Sequence, residues 1–262
     1  RQSVVAPQPP CGSSSRRSDN VKFLARVTEH PLSQRVLAAF CEGTPDTAMG
    51  HVNESAPGRG VIPVYYGILR GCAEAIKMDE EANRTFLYID HGYFGDHDNV
   101  NLTGHYRIVA NGLHHRIPKN PEPIPWNEPF SGAKDVRVYD PDAPVLLVPP
   151  SEAVARFYDI TPEKWTAGCT DRLGSNFVVC NKASRNLDAE IARCRGLIAH
   201  SSTAAVRALV EGVSSVVCTA VRAPVPIHQQ FDRISLLGWL AERQFTLEEI
   251  RDGRHLVHIG QE

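Results

Sequence analysis

The sequence of 262 residues has no apolar run approaching the roughly 20 residues needed to span a bilayer. Its first residues lack the hydrophobic centre of a signal peptide, so a soluble, cytoplasmic protein is expected. Charge of one sign is missing too: 28 Lys and Arg stand against 30 Asp and Glu, a formal net charge of -2. No global basic field would draw nucleic acid in non-specifically, although a local basic groove is compatible with this balance. There is no CxxC pair. The seven cysteines (Cys11, Cys41, Cys72, Cys169, Cys180, Cys194 and Cys218) are scattered and odd in number. That pattern reads as free thiols in a reducing compartment rather than a disulfide framework or zinc site, and no metal is expected.

What is present is globular: 42% hydrophobic and 22% charged residues, in a chain long enough for two small lobes. Residues 1–20, rich in Pro, Ser and Arg without periodicity, read as a disordered leader. A strand over Val21–Val27 leads to a helix from Pro31 to Phe40, stopped at Gly43. After a loop over 44–60 come a strand (Val61–Tyr66), Gly67, a helix from Ile68 to about Glu81, and a strand (Thr85–Asp90). Pro63 suggests that its strand lies at an edge or begins late. Residues 91–142 read as a long loop region with short strands such as Tyr106–Val109, closing a first lobe over 21–142.

A second lobe over 143–243 alternates strands (Pro144–Val148, Phe177–Cys180, Leu197–His200, Ser215–Cys218) with helices from Pro162, over Leu187–Cys194 and over Thr203–Glu211. Such alternation predicts βαβ units and parallel sheets. Residues 244–262 read as a C-terminal helix and tail that crosses back onto lobe one.

The chemistry concentrates at strand ends. His200-Ser201-Ser202-Thr203 closes a buried strand and opens an Ala-rich helix, so free N–H groups and hydroxyls suit an anion, while simple N-capping explains the same residues. Lys182 and Arg185 follow the preceding strand, where their charges face the same crevice or simply solvent. Asp90-His91 ends a lobe-one strand; either residue suits proton abstraction, or Asp90 orients His91 or caps a turn. Gly67 permits close backbone approach to a ligand, or a plain turn. His105, His114 and His115 match no metal spacing.

The strand, the His-Ser-Ser-Thr turn, the small-residue helix and Gly212 resemble the nucleotide-sugar half of GT-B glycosyltransferases, over about residues 145–220. The resemblance implies two Rossmann-like lobes with a cleft between them and a nucleoside diphosphate sugar as the donor, a UDP-sugar first. It also implies that Ser201, Ser202, Thr203 and Lys182 hold the diphosphate. Where that family often has a ribose-binding acid this chain has Arg207, and Glu211, one turn later, is the substitute. Lobe one and Gln244–Gly253 resemble uncharacterised bacterial and phage proteins, which makes a modified DNA base one conceivable acceptor. A sugar-nucleotide epimerase and a non-catalytic nucleotide-binding scaffold are the alternatives.

Overall fold

The computed structural model describes residues 22–95, 97–119, 121, 133–138, 140–174, 176–181, 186–225 and 232–259. The expected leader over 1–20 lies outside them. In lobe one the order is β1 (Phe23–Val27), α1 (Pro31–Gly43), β2 (Thr47–His51), β3 (Ile62–Tyr66), α2 (Cys72–Glu81), β4 (Leu87–His91) and β5 (His105–Ala110). Lobe two follows with β6 (Val145–Val148), α3 (Glu152–Phe157), α4 (Pro162–Leu173), β7 (Phe177–Val179), α5 (Leu187–Arg193), β8 (Gly196–Ala199), α6 (Ala204–Val210), β9 (Ser215–Cys218) and α7 (Arg233–Ala241). The chain finishes with β10 (Gln244–Thr246), α8 (Leu247–Arg251) and α9 (Leu256–Ile259).

Both lobes are Rossmann-like α/β units. Lobe two holds a parallel sheet in the order β7-β6-β8-β9. The lobe-one sheet runs β10-β5-β4-β3-β1-β2, and only its β4-β3-β1-β2 part is parallel. β5 lies antiparallel to β4, and β10 antiparallel to β5, which corrects the all-parallel expectation for this lobe. Among its described residues the connection from β4 to β5 carries no helix to return the chain to the far end, and β5 runs back beside β4.

Several local expectations are corrected. The loop over 44–60 contains β2, an edge strand paired only to β1. β3 is internal, so of the two expectations raised by Pro63 the edge position fails and the late start of pairing holds. Ile62 donates its N–H to Lys22, so the missing N–H of Pro63 falls on the β4 side, where pairing starts only at Val64. The second helix begins at Cys72 rather than Ile68, because Gly67, Arg70 and Gly71 take positive φ values of 67°, 57° and 89°. The C-terminal segment crosses back as expected. Its first three residues form β10, however, and only then does the capping box of Thr246 and Glu249 start α8.

The lobes share packing. Phe157 of α3 enters the lobe-one cluster of Tyr65, Ile76, Phe86 and Tyr88, while Tyr93 and Phe94 join the lobe-two core. Lys77 reaches Asp159 across the junction at 2.8 Å, and Arg222 donates to the carbonyls of Ala110 and Asn111. The C-terminal segment is anchored by His255, which is fully buried, with Nε2 2.9 Å from the Thr44 hydroxyl and its ring 5.0 Å from that of Phe40.

Burial depresses the His255 pKa to about 4. The unfolded chain therefore binds a proton that the folded chain refuses, so stability present above about pH 6.5 is lost as the pH falls toward 4. Thermal midpoints recorded from pH 7.5 to 4.5 are expected to fall, and to fall less in His255→Phe. An equal fall in both proteins would remove His255 as a cause.

Candidate functional site

A cleft of about 1840 Å³ opens between the lobes. Gly67 after β3 and Asp90-His91 at the end of β4 line it from lobe one; Ser201, Ser202 and Thr203 after β8 line it from lobe two. These are carboxyl ends of parallel strands, the usual place for a ligand in an open α/β sheet. Glu211 also reaches the wall, from the far end of α6, where it pairs with Lys134. Lys182 and Arg185 lie outside the described residues. Gly67 has open space around the position of a Cβ, so its positive φ, rather than close packing, is what favours glycine there.

Asp90 is heavily engaged. Its Oδ2 accepts from the Tyr88 hydroxyl at 2.8 Å and from Arg107 at 3.0 Å, and its Oδ1 accepts the backbone N–H of His91 at 2.8 Å. Burial alone would raise its pKa, but the Arg107 charge, the Tyr88 hydroxyl and the two contributions from His91 outweigh it and hold the carboxyl below the ordinary range. Asp90 is therefore a carboxylate that fixes the backbone of His91, and its oxygens do not bond the imidazole.

Arg107, which sequence reasoning passed over, is the centre of this arrangement. Only 4% exposed, it donates from Nε to the carbonyl of Leu113 at 3.0 Å and from Nη1 to that of His91. Its guanidinium also lies 5.5 Å from the ring centre of Tyr93. The signal available in the sequence was an arginine amid the apolar residues of Tyr106-Arg107-Ile108-Val109, since a charge there must be paired once buried.

The His91 imidazole remains at the cleft wall. Its Nε2 lies 2.9 Å from Oδ1 of Asn99 and 3.4 Å from the Tyr66 hydroxyl, and its ring stacks on His97 at 4.3 Å. Burial, aided by the charge of His91, depresses the pKa of His97 to about 4. The loop that follows is held by Gln244 of β10, whose Oε1 accepts from the backbone N–H groups of Tyr93 and Phe94 at 2.7 and 3.1 Å. A side chain on Gly92 would strike that oxygen at 2.6 Å, so the close approach requires glycine.

In the lobe-two turn the Ser202 hydroxyl accepts the N–H of Ala204 at 3.1 Å, whereas the Thr203 side chain makes no capping bond. His200 does not line the cleft. Its ring packs 4.8 Å from Tyr158 and 6.5 Å from Trp165, its Nδ1 is 3.1 Å from the Ser201 hydroxyl, and burial lowers its pKa. The ring backs the turn, and burial favours its neutral form. Arg207 lines the wall but is paired to Asp188 at 2.6 Å.

No protein-family model matches the chain, and no curated protein matches it. Among solved structures, KpsC of Thermosulfurimonas dismutans, a beta Kdo 2,4 transferase, aligns with 84% of this chain and 90% of its own at 10% identity, with a TM-score of 0.45. Among the described residues no group of three or more His, Cys, Asp or Glu is placed to hold a metal ion. None of the described helices is long and apolar enough to cross a membrane.

Proposed function

We propose that the chain is a GT-B-like glycosyltransferase that moves a sugar from a nucleoside diphosphate sugar, a UDP-sugar first, to a hydroxyl acceptor. The observation that carries the reading is that the Ser201–Thr203 turn of lobe two and Asp90-His91 of lobe one line one cleft. The turn supplies hydroxyl donors for a leaving diphosphate, with Lys182 and Arg185 proposed as its cations. Because α6 is only seven residues long, these side chains rather than a helix dipole would carry most of the binding.

In this mechanism the acceptor oxygen bonds to the anomeric carbon as the carbon–oxygen bond to the diphosphate breaks, and the nucleoside diphosphate leaves with the electron pair. The acceptor proton passes to the His91 imidazole. Asp90, committed to Arg107 and Tyr88, holds the His91 backbone so that the ring keeps its place. A modified DNA base belongs among the acceptors to be assayed, together with free sugars and glycolipids.

The same engagement of Asp90, together with the Arg207–Asp188 pair, favours one second reading: a protein that binds nucleotide without turnover. Heating with UDP, GDP and their sugars separates the possibilities. A true donor at 100 times its Kd adds about 2.7 kcal/mol and raises the midpoint by about 5–10 °C. No shift with any of them would sink the donor site. Release of free sugar in water that disappears in His91→Ala, with binding intact, supports the enzyme; binding without release supports the second reading.

A further inference from the structure

The loop after β4 brings a second side chain to His91. Asp98 closes that loop: its Oδ1 accepts the backbone N–H groups of Val100 and Asn101 at 2.8 and 3.2 Å, and its Oδ2 accepts the Asn101 side-chain amide at 2.6 Å. Its backbone exchanges two hydrogen bonds with Thr103, each of 3.2 Å. Buried Leu102 packs into the lobe-one core, and Arg35 of α1 donates to the carbonyl of Val100 at 3.1 Å. The loop is thereby tied to its own lobe, and it holds Asn99 with Oδ1 2.9 Å from Nε2 of His91.

An amide oxygen carries no hydrogen, so at that distance the proton between the two atoms belongs to Nε2. The Tyr66 oxygen, 3.4 Å from the same nitrogen, has lone pairs to share that hydrogen. A neutral imidazole has one N–H, which leaves Nδ1 bare. Nδ1 of His91 has no hydrogen-bond partner among the described residues, yet it is not one of their buried unpartnered atoms, whereas Nδ1 of the stacked His97 is. The bare nitrogen is therefore open to solvent, on a side chain that lines the cleft.

Resting on the transferase reading, we propose that Asn99 is a positioning residue: it holds the His91 proton on Nε2 and so presents Nδ1 as the atom that takes the acceptor proton. As a lone pair of the acceptor oxygen bonds to the anomeric carbon, its proton passes to Nδ1 and the O–H electron pair stays on oxygen. The nucleoside diphosphate leaves with the pair of the bond that breaks. The ring is then an imidazolium, and its bond from Nε2 to Asn99 strengthens. Asp90 precedes the ring on β4, Tyr66 faces it from β3, Tyr106 and Arg107 lie beside it on β5, and His97, kept neutral by burial, stacks on it. None of these offers Nε2 an acceptor as close as Asn99.

Nitrogen-15 spectra of the histidines in the intact protein test the contact without any substrate. Wild type above neutral pH is expected to show His91 with its proton on Nε2 and Nδ1 bare. A proton on Nδ1 would overturn the assignment. Asn99 is exposed, so neither substitution of it leaves a cavity. In Asn99→Asp a carboxylate replaces the amide oxygen and keeps the ring doubly protonated to a higher pH than in wild type. An unchanged titration overturns the contact.

Kinetics then test the role, read as release of free sugar into water from UDP-glucose, UDP-galactose and UDP-N-acetylglucosamine. Asn99→Ala is expected to lower kcat about tenfold and to leave the donor KM within about twofold, the loss of one hydrogen bond that orients the base. Asn99→Asp restores kcat to within about threefold, with the acid limb of its pH profile moved to higher pH, which a merely structural loop contact would not produce. Wild-type kcat in the alanine variant, or a loss confined to KM, overturns the positioning role. If wild type neither binds nor cleaves a sugar nucleotide, the transferase reading fails and the base role of Nδ1 with it, even where the spectra have placed the proton on Nε2.

Discussion

Arg107→Met is expected to destabilise the protein by about 3 kcal/mol, because a buried cation is removed while its acceptors stay behind. The carbonyls of Leu113 and His91 and the carboxylate of Asp90 all lose a donor. The expected figure is at the low end for a broken buried pair because the Asp90 side chain is 32% exposed and water can reach it. Urea denaturation checks the size, provided the slope is unchanged between the proteins.

The pH dependence has a definite sign. Asp90 has a depressed pKa in the folded chain, so its contribution is present above the unfolded value near 4 and is lost as the pH falls through the folded one. In Arg107→Met that acid loss below about pH 4 should shrink. A destabilisation under about 1 kcal/mol would show that Arg107 is not the organiser of this strand end. Under the proposed mechanism sugar transfer falls as well, since the His91 carbonyl loses its donor and the Asp90 carboxylate that accepts the His91 N–H loses its own anchor.

Gly43→Ala is the second large effect, and its sign is diagnostic. Within a helix, alanine in place of glycine normally stabilises by about 0.5–1 kcal/mol. Gly43 closes α1 against the C-terminal segment, and an added Cβ would collide with the carbonyl oxygen of Ile250 and lie 2.8 Å from that of Arg251 and 2.9 Å from the nitrogen of Gly253. All three are backbone atoms and cannot swing aside. The expected outcome is a loss of about 3 kcal/mol. The midpoint would fall by about 6–12 °C, with faster amide exchange in β10 and α8. A midpoint raised by the substitution, with exchange unchanged, would mean that the two segments are not in such close contact.

The strands readable from sequence share one property. β1, β3, β4, β5, β6, β7, β8 and β9 are short, mainly apolar runs bounded by turn residues. β2, Thr47-Ala48-Met49-Gly50-His51, has neither alternation nor a branched apolar residue, and it exists because β1 offers an open edge. β10 has only three residues, too few to show a period, and the capping signal immediately after it draws the whole segment toward helix.

The site divides the same way. Asp90, His91 and Ser201–Thr203 were legible as polar residues at the ends of apolar strands. The direction of His200 was not, because Tyr158 and Trp165, which hold its ring, come from helices about 40 residues earlier. Arg107 was obscured for a related reason: its role depends on partners from other elements, and local spacing contains no trace of them.

The return of β10 to the first sheet has a consequence for synthesis. As the chain leaves the ribosome, the strands of lobe two, ending at Cys218, are all available before β10, the strand that lines the outer edge of β5, has been made. The amino-terminal lobe is thus the later of the two to be completed. Until it is, β5 presents an unpaired edge, and the core lacks Phe245, Leu247 and Ile250. A nascent or truncated chain in that state offers a template to a strand from another molecule, so this protein is most exposed to aggregation in the interval before its last strand arrives.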